Sequence, residues 1–461
     1  MDERLRRRVY PLDPKALTEE EMAAVFAMTS RSSDPLDEVA RTLSPEKAAE
    51  FHQRWVLGRG HLSVSEHSVV RLAVENISRL ACDELEDNRL GSYTERSSRY
   101  QVIEPGSYYV PNELQSGLRV AFVQTCESLL GSYLHLMEEM DSFLRNKLAP
   151  REGEHLSAYN FRIRHEAADS CRMLLPAATL TNVGVTMNSR VLRHAIEKLM
   201  SCELAEMRAL AEDIRAQAEK LLPTLAGKAQ ASEYLVETSK VLQREASAFR
   251  AEKGDLPAGA TLVQYDPDAE KRLAAALLYH HAGASYREVW DRVTSLPGAE
   301  VERLVDEGLK RVGPYELPLR ETEYVKYTFE FVMDYGAYRE FKRHRMQTYI
   351  AQPLTVDNGY LLPDLIVEAG KEAEYRKAMS AAEDGFRRVA EFSPAMAQYL
   401  VTHGHKRRVL AQMDLRQLYH FLRMRTSPHA HFTIRHIASE AMRLVQEKHP
   451  LVLRYLQLRK V

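Results

Sequence analysis

A short pattern of side chains occurs twice in this 461-residue chain, and it limits the possible folds more than any other feature. The segment that begins at Met187 reads MNSRVLRH, and the segment that begins at Met413 reads MDLRQLYH. Before each segment come, in the same order, a strand-like stretch, a helical stretch and an arginine-bearing loop. A repeated order of features is typical of duplicated units, and roughly 200 residues is an ordinary domain size. We therefore predict two tandem repeats, at residues 1–250 and 251–461.

Hydrophobic periodicity predicts that helices dominate both repeats. Apolar residues recur at three- and four-residue steps in four long stretches, which favours helices. These stretches are Leu118–Leu144, Leu192–Leu222, Tyr375–Leu400 and Leu415–Leu444. Strand-like alternation is clearest at His67–Ser78 and Glu323–Asp334, while the Gly-, Pro- and Asp-containing segment Glu252–Lys271 reads as a linker. The prediction is an α+β fold in which each repeat packs a small antiparallel sheet with long helices.

Composition narrows the possible partners and compartments. The net charge of −2 gives no electrostatic argument for nucleic acid or membrane as the main partner. The four cysteines form no CxxC pair, which favours free thiols in a reducing cytoplasm and argues against zinc. No apolar run is long enough for a transmembrane helix, and the basic N-terminus MDERLRRRVY lacks the apolar region of a signal peptide.

The segment GSYTERSSRY, residues 91–100, is too polar for a core element. Glu95, Ser97 and Arg99 alternate, so an extended backbone would point them to one side. Arginine can then hold a phosphate, serine can donate a hydrogen bond, and glutamate can accept one from an imide or a sugar hydroxyl. A polar surface loop would account for the same composition.

Other polar residues suit anionic ligands or simple exposure. The triplet Arg343-His344-Arg345 presents two planar guanidiniums that suit a phosphate or pyrophosphate, although a solvated basic helix end is the alternative. Arg190 with His194, and Arg416 with His420, are each four residues apart on one helix face. Two cations on one face repel each other unless an anion or solvent screens them.

The stretch GHLSVSEH, residues 60–67, directly precedes the first strand. Its histidines, His61 and His67, lack a recognised metal-ligand spacing, so we predict no metal site. A polar lid over a ligand, with Ser63 and Glu66 as its hydrogen-bonding groups, explains the stretch at least as well.

Taken in order, these motifs resemble the flavin-dependent (alternative) thymidylate synthases. The pattern of that family is GHxSxxEH, a strand, an ISR helix, RHRxxSxNExSxRY, and a helix that opens NxRxLxH and ends near EIR. The first half of the chain is similar to it over residues 60–100 and again over 172–194. The second half matches through Glu323, the RHR triplet, Arg416, His420, Arg425 and TIR at residues 433–435.

Each half departs from the family where the other half conforms. The first half has Asp87 and Asn88 in place of the family's Arg and His, and retains only Arg89 of that triplet. The second half retains the triplet but has Ala351, Pro353 and Thr355 in place of the Glu, Ser and Arg of the nucleotide loop. The family arginine at Arg172 falls on Gln398 in the second half, and that at Arg425 falls on Leu199, or on Lys198, in the first. We therefore predict composite sites to which both repeats contribute.

The resemblance implies a chemistry and a set of residues for it. The reaction is the reductive methylation of dUMP, in which methylenetetrahydrofolate supplies the carbon, reduced FAD the hydride and NADPH the electrons. The implied substrate-binding residues are Glu84, Glu95, Ser97, Arg99, Arg172 and Arg425. The implied flavin-binding residues are Ser63, Glu66, Arg89, Asn188, Arg190, His194, Arg343, His344, Arg345, Arg416 and His420. Arg425 would stabilise negative charge on the uracil ring, and Ser97 would donate a hydrogen bond rather than act as a nucleophile.

The resemblance implies a homotetramer with active sites at subunit interfaces, so a duplicated chain would form a homodimer that acts as a pseudo-tetramer. Three alternatives stay open on the residues alone. Asp87, Asn88 and the altered loop at 350–355 fit a non-catalytic or repurposed protein that binds flavin and nucleotide. A flavin enzyme that acts on another pyrimidine nucleotide or on an RNA uridine is the second alternative, and a purely structural helical protein is the third.

Overall fold

The computed structural model describes residues 7–227, 229–249 and 253–458. Within these ranges the α-helices are α1 (Glu19–Met28), α2 (Leu36–Thr42), α3 (Pro45–Phe51), α4 (Arg79–Glu86), α5 (Ser116–Lys147), α6 (Leu156–Cys171), α7 (Ser189–Met200), α8 (Ala205–Ala218), α9 (Glu233–Ala246), α10 (Ala269–Ala282), α11 (Tyr286–Thr294), α12 (Gly298–Leu309), α13 (Tyr335–Phe341), α14 (Asp364–Glu368), α15 (Glu372–Ala390), α16 (Pro394–Ala397), α17 (Leu415–Arg425) and α18 (Phe432–Lys448). The strands are β1 (Val69–Ser78), β2 (Ser92–Glu95), β3 (Leu180–Asn188), β4 (Gly259–Tyr265), β5 (Lys326–Asp334), β6 (Thr348–Ala351) and β7 (Lys406–Asp414). A π-helical turn spans His52–Leu57, and 3-10 turns span Val64–His67, Arg172–Leu174, Arg320–Tyr324 and Gln398–Leu400.

The chain divides into two compact units. Unit 1 takes the described residues of Met1–Arg96, Tyr108–Gln115 and Thr179–Ala251. Unit 2 takes those of Ser97–Ser107, Ser116–Ala178 and Glu252–Val461. Unit 2 therefore contains α5 and α6 of the first repeat beside the second repeat, and α5 packs along α15. The predicted boundary between residues 250 and 251 lies outside the described residues, as do residues 1–6 of the basic N-terminus.

Unit 1 is built on a three-stranded antiparallel sheet in the order β1-β3-β2. Val74 lies opposite Val183, and Tyr93 lies opposite Val185, so apolar residues of the three strands share one face. The register of β1 shifts between Val74 and Ile77, and Asn76 there has a φ of +59°, which asparagine tolerates better than most residues.

Unit 2 contains a four-stranded antiparallel sheet in the order β4-β5-β7-β6. On β5 every second residue, from Tyr327 to Met333, is fully buried, while the residues between them are more exposed. The helix α18 packs against this sheet, and its Glu440 accepts a hydrogen bond of 2.6 Å from the backbone N–H of Ala260 on β4. The linker prediction for Glu252–Lys271 is therefore wrong, because this stretch supplies an edge strand paired with β5 and held to a helix (Glu252 itself lies outside the described residues).

The two sheets share a common plan. Strands β1, β3 and β2 of unit 1 are ordered as β5, β7 and β6 are in unit 2. The strands β1 and β5 each end in a helix cap: Ser78 accepts from the N–H of Ala81, and Asp334 accepts from that of Ala337. The prediction of two repeats, each with a small antiparallel sheet in a helix-dominated α+β fold, is confirmed.

Three of the four predicted helices are interrupted. The stretch 375–400 breaks before Pro394, and the stretch 415–444 breaks over residues 426–431, which include Pro428. Proline lacks the N–H that would continue the helical hydrogen bonding. The stretch 192–222 breaks after Met200, where the hydroxyl of Ser201 donates to the carbonyl of Glu197 at 2.6 Å.

Among the residues that the structure describes, no helix is both long and apolar enough to cross a membrane.

Candidate functional site

Three arginines and two carboxylates from separate parts of the sequence meet inside unit 2. We call Arg99, Asp169, Arg172, Glu340 and Arg425 the arginine cluster. Arg99 donates to Asp169 through Nε and Nη2 at 2.7 Å each, a bidentate contact, and its Nη1 lies 3.6 Å from Glu340 Oε1. Arg172 Nη2 lies 3.9 Å from the same oxygen. Arg425 Nη1 donates to the other oxygen, Oε2, at 2.9 Å. Glu340 thus faces three guanidiniums.

Helix ends position these side chains. Arg172 begins the 3-10 turn that follows α6, one turn beyond Asp169. Glu340 lies near the end of α13, and Arg425 is the last residue of α17, whose start is capped by Asp414. Arg425 Nη2 also donates to the backbone carbonyl of Glu340 at 2.8 Å, so α13 and α17 are joined at their C-terminal ends. Cations are favourable there because of the partial negative charge of the helix carbonyls.

Burial makes the arginine cluster receptive to an anion. The side chain of Arg172 is only 7% exposed, and burial lowers its pKa despite the nearby Asp169 and Glu340. Its Nε and Nη2 atoms and Glu340 Oε1 are buried and have no hydrogen-bond partner among the residues that the structure describes. Burial also opposes the charge of Arg99, but the hydrogen bond with Asp169 prevails and raises its pKa. The carboxylate of Asp334 also acts on Arg172, so what a bound anion would gain in the cluster is hydrogen bonds to the N–H groups of Arg172 that have no partner among the described residues.

The RHR triplet is divided by the fold. Arg343 and Arg345 are exposed, whereas His344 is buried. Arg425 Nε donates to His344 Nε2 at 2.8 Å, so the imidazole proton lies on Nδ1, which is buried without a hydrogen-bond partner among the described residues. Burial lowers the pKa of His344, and the charge of Arg425 adds to this. His344 is thus neutral and orients Arg425 instead of presenting a charge to a phosphate.

The predicted substrate-binding residues lie in both units. In unit 2, Ser97 Oγ accepts from the backbone N–H of Arg99 at 3.2 Å and stiffens the loop that carries it. In unit 1, Glu95 accepts from Arg79 at 3.1 Å and from Thr181 at 2.9 Å, and the side chains of Glu95 and Arg79 are 5% and 1% exposed. Glu84 is exposed on α4. The structure therefore brings together Arg99, Arg172 and Arg425 within unit 2, whereas Glu84 and Glu95 belong to unit 1.

Two predicted flavin-binding residues, Arg190 and His194, line a cavity of about 400 Å³ in unit 1, which we call the α7 cavity. Its lining consists of Val56, Leu57, Leu62, Ser65, Ser189, Arg190, Arg193, His194, Glu197 and Leu225. Arg190 donates to Glu66 at 2.5 Å, which ties the predicted lid to α7. Asn188 caps α7 by accepting from Val191, and Ser63 stands before the 3-10 turn of the lid. Arg89 is exposed after α4.

The second repeat retains the ion pair but differs in the cavity wall. Arg416 donates to Glu323 at 3.0 Å, as Arg190 does to Glu66. At the positions of Ser189 and Arg193, however, the second repeat has Leu415 and Tyr419, which are fully buried. Tyr419 donates to the carbonyl of Val452, and the exposed His420 ring lies 5.3 Å from that of His344. Hydrophobic core therefore replaces polar lining in the second repeat.

The sequence analysis did not identify four residues that the structure places at the arginine cluster. Asp169 and Glu340 supply its carboxylates. The carbonyl of His429 accepts from Arg99 at 3.3 Å, and His431 Nε2 lies 3.2 Å from the carbonyl of Asp169. A signal existed for Glu340, because alignment of the repeats sets it opposite Glu84. The histidines belong to the segment that interrupts the predicted helix.

Two smaller predictions concern metals and thiols. Within the described residues, ligand atoms of Cys82, Glu86 and Glu95 lie within 4.8 Å of one another. Arg79 and Thr181 already bind Glu95 there, so a cationic group occupies the carboxylate. The absence of a metal site stays a prediction. All four cysteines are free thiols.

A family model described as "Thymidylate synthase complementing protein" matches residues 15–224 and again residues 261–451. The chain therefore belongs to this family and contains its fold twice. A UPF0159 protein of Chlamydia muridarum is 30% identical over 426 residues, which are 88% of this chain and 80% of that protein. A UPF0159 protein of Thermoplasma acidophilum is 28% identical and covers 93% of both chains.

Proteins named for an activity match over a shorter length. The flavin-dependent thymidylate synthase of Thermococcus kodakarensis is 32% identical over 181 residues, which are 39% of this chain and 64% of that protein. A solved structure of the Helicobacter pylori flavin-dependent thymidylate synthase, complexed with FAD and dUMP, covers 44% of this chain and all of that chain, at 18% identity and a TM-score of 0.33.

Proposed function

We propose that the protein is a cytoplasmic, FAD-dependent thymidylate synthase-like enzyme that methylates dUMP reductively, with methylenetetrahydrofolate and NADPH as co-substrates. The arginine cluster carries this proposal. Arg99 and Arg172 come from the first repeat, Arg425 and Glu340 come from the second, and all four meet in unit 2. The composite site is thus formed within a single chain.

The cluster explains how a nucleotide would be held and activated. Arg99 and Arg172 bind the phosphate and the pyrimidine oxygens, because guanidiniums match such groups with two parallel hydrogen bonds. Ser97 donates a further hydrogen bond from the same loop. Arg425 stabilises negative charge that develops on the uracil ring. Glu340 and His344 hold Arg425 in place beforehand, so it needs little reorganisation during the reaction.

The residues of unit 1 fit part of a flavin nucleotide. The α7 cavity has Arg190 and His194 on one wall and Val56, Leu57, Leu62 and Leu225 among its apolar lining. Such a lining suits a ligand with both phosphates and flat apolar rings. When bound, FAD supplies the hydride. The other residues we assign to it are Ser63, Glu66, Arg89 and Asn188 in unit 1, with Arg343, His344, Arg345, Arg416 and His420 in unit 2.

Each repeat lacks the arginines that the other repeat contributes, so the corresponding positions do not supply the groups needed for a second nucleotide site. Thr355 and Gln398 stand where the first repeat has Arg99 and Arg172, and Leu199 stands where the second has Arg425. We therefore infer one dUMP site per chain. A homodimer of two such chains would resemble a tetramer of single-repeat chains, with half of its sites retained.

The test is tritium release from ring-tritiated dUMP with NADPH and methylenetetrahydrofolate. Arg99→Ala and Arg425→Ala should each lower the rate by about 100-fold or more, since each removes a fixed cation. Thr355→Ala, at the position of Arg99 in the other repeat, is the matched control and should keep its activity. Mixing the two inactive variants should restore nothing, because both arginines serve the same chain. Restoration would place the site between chains, and full activity of Arg425→Ala would refute the assignment.

A non-catalytic nucleotide-binding protein is the second candidate. Asp169 and Glu340 neutralise two of the three arginines, and Asp87 replaces a family arginine, which favours weaker anion binding. This candidate predicts a yellow protein that binds dUMP but releases no tritium. Parallel assays with UMP and a uridine-containing RNA would identify a different pyrimidine substrate.

A further inference from the structure

Three guanidiniums surround a single tryptophan in unit 1. The guanidinium carbons of Arg59, Arg31 and Arg54 lie 4.3, 4.6 and 5.3 Å from the ring centroid of Trp55. The ring of His61 approaches the same indole edge-on at 5.9 Å. We call Trp55, Arg31, Arg54 and Arg59 the Trp55 cluster. None of these residues is part of the arginine cluster or of the lining of the α7 cavity.

The Trp55 cluster has no balancing anion in the part of the chain that the structure describes. Arg31 donates to the carbonyl of Ala27 and to Ser30, and no carboxylate forms an ion pair with Arg31, Arg54 or Arg59. The nearby arginines of α7 differ, because Arg190 pairs with Glu66 and Arg193 with Glu197.

Three like charges around one ring repel each other, and each cation–π contact returns only about 0.5–1 kcal/mol at an exposed site. An anion shared by the guanidiniums would remove that repulsion. The guanidiniums cover the indole ring. A ligand of the cluster would therefore contact the N–H groups of the arginines and not the face of the ring. This chemistry selects phosphate over a stacked base.

The Trp55 cluster adjoins the α7 cavity. The π-helical turn His52–Leu57 carries Trp55, and the next two residues, Val56 and Leu57, form part of the cavity wall. The same short turn therefore carries both the indole of the cluster and part of the cavity wall. Such π-helical turns are often found at functional sites because they redirect side chains.

We propose that the Trp55 cluster binds the phosphates of the reduced nicotinamide dinucleotide that reduces the flavin. This inference rests on the proposed function, in which NADPH gives one hydride to the oxidised flavin and leaves as NADP⁺. The reductant must approach the flavin closely, and the α7 cavity is where unit 1 offers flavin-binding residues. The 2′-phosphate of NADPH is a group that arginines recognise in other dinucleotide sites.

The test compares Arg54→Gln/Arg59→Gln with Arg41→Gln, an exposed arginine of unit 1 outside the cluster. In the double variant, the KM for NADPH in flavin reduction should rise by at least about tenfold, because two charge-assisted contacts are lost. The preference for NADPH over NADH should fall, while flavin reduction by dithionite and dUMP binding stay unchanged. Binding of 2′,5′-ADP, measured by calorimetry, should weaken in parallel. Arg41→Gln should match the wild type in every assay.

These measurements separate failure of the inference from failure of the proposed function. If NADPH does not reduce the wild type, the proposed reductant is wrong, yet weaker 2′,5′-ADP binding by the double variant would still establish the phosphate site. An unchanged KM for NADPH together with unchanged 2′,5′-ADP binding would overturn the inference. It is also overturned if inorganic phosphate binds as tightly as 2′,5′-ADP, or if the double variant loses binding of single-stranded RNA but keeps that of 2′,5′-ADP.

Discussion

The turns after α4 and α13 have the same place in the two repeats but opposite chemistry. In unit 1, Asp87 of the turn after α4 pairs with Lys198 of α7 at 2.8 Å, on the protein surface. In unit 2, His344 of the turn after α13 accepts a buried hydrogen bond from Arg425 of α17. Each turn contacts the helix that follows the central strand of its own sheet. Both repeats thus have a contact between this turn and that helix, but the contacts differ in charge and in burial.

The difference shows that Asp87, which departs from the family pattern, lies in contact with Lys198, a residue of opposite charge. Asp87 stands in the first repeat at the position of Arg343 in the second. Its negative charge would be uncompensated by itself, and Lys198 compensates it. On the preceding helices, Glu84 is exposed on α4, whereas Glu340 is buried on α13. Glu340 faces three guanidiniums from its buried position, so the buried and the exposed glutamate provide a direct comparison.

Replacement of that carboxylate should give the largest effect on stability. Glu340→Gln removes the negative charge that faces Arg99, Arg172 and Arg425, and leaves buried cations without compensation. We expect a loss of about 3 kcal/mol in the free energy of unfolding, the lower end of the range for breaking a buried ion pair. Urea denaturation would measure it, with Glu84→Gln as the matched control that changes stability by less than about 0.5 kcal/mol.

The same comparison tests anion binding. Adding dUMP should recover part of the stability of Glu340→Gln, because the phosphate supplies the missing negative charge to the cluster. Equal stability of the two glutamine variants would show that Glu340 is as dispensable as its exposed counterpart and would contradict the ion-pair account.

The sequence predicts elements well where burial follows a simple period. The alternating strands β1 and β5 and the long helix α5 lie close to their predicted positions. The central strand β7 was not identified, because it begins Lys406-Arg407-Arg408, which reads as a solvated run. In the structure Lys406 is buried by donating to Asp255 at 2.7 Å and to the carbonyl of Leu256 at 2.6 Å. Such partners are distant in sequence and leave no local pattern.

The candidate site shows the same limit. The order of the motifs identifies Arg99, Arg172 and Arg425, because a family resemblance is read at single positions of the sequence. It does not lead to Asp169, whose role depends on its contact with Arg99. Nor does it reveal that His344 is neutral, because its pKa falls through burial, a property of the packed protein.

The contribution of the helix cap to stability should depend on pH in the second repeat but not in the first. Asp334 caps α13 and is fully buried, and burial raises its pKa to about 6, whereas Ser78 caps α4 without a charge. An aspartate in the unfolded chain titrates near 3.9. The folded state therefore holds the proton more tightly, and ionisation of Asp334 costs stability progressively from about pH 4 to pH 6, with the full cost above pH 6.

Asp334→Asn keeps a cap acceptor for the N–H of Ala337 but has no charge to bury. It should match the wild type near pH 4 and exceed its stability at pH 8 by at most about 3 kcal/mol, the equivalent of two pKa units. Thermal unfolding across this range would measure the difference. Asp414→Asn, at a half-buried cap whose pKa burial also raises, should show the same sign with a smaller amplitude. A stability gain from Asp334→Asn that is equal at pH 4 and pH 8 would contradict the titration.

The smallest effect is expected for the Asp87–Lys198 pair, which is the first repeat's counterpart of the buried contact between His344 and Arg425. The side chains of Lys198 and Asp87 are 23% and 46% exposed, so solvent and salt screen their attraction. A double-mutant cycle with Asp87→Asn and Lys198→Met should give a coupling of about 0.5 kcal/mol, which falls as salt is added. The same cycle with Glu340→Gln and Arg425→Met should give several times more and change little with salt. Equal couplings would mean that burial does not distinguish the two contacts, and the proposed division of function between the repeats would lose its energetic basis.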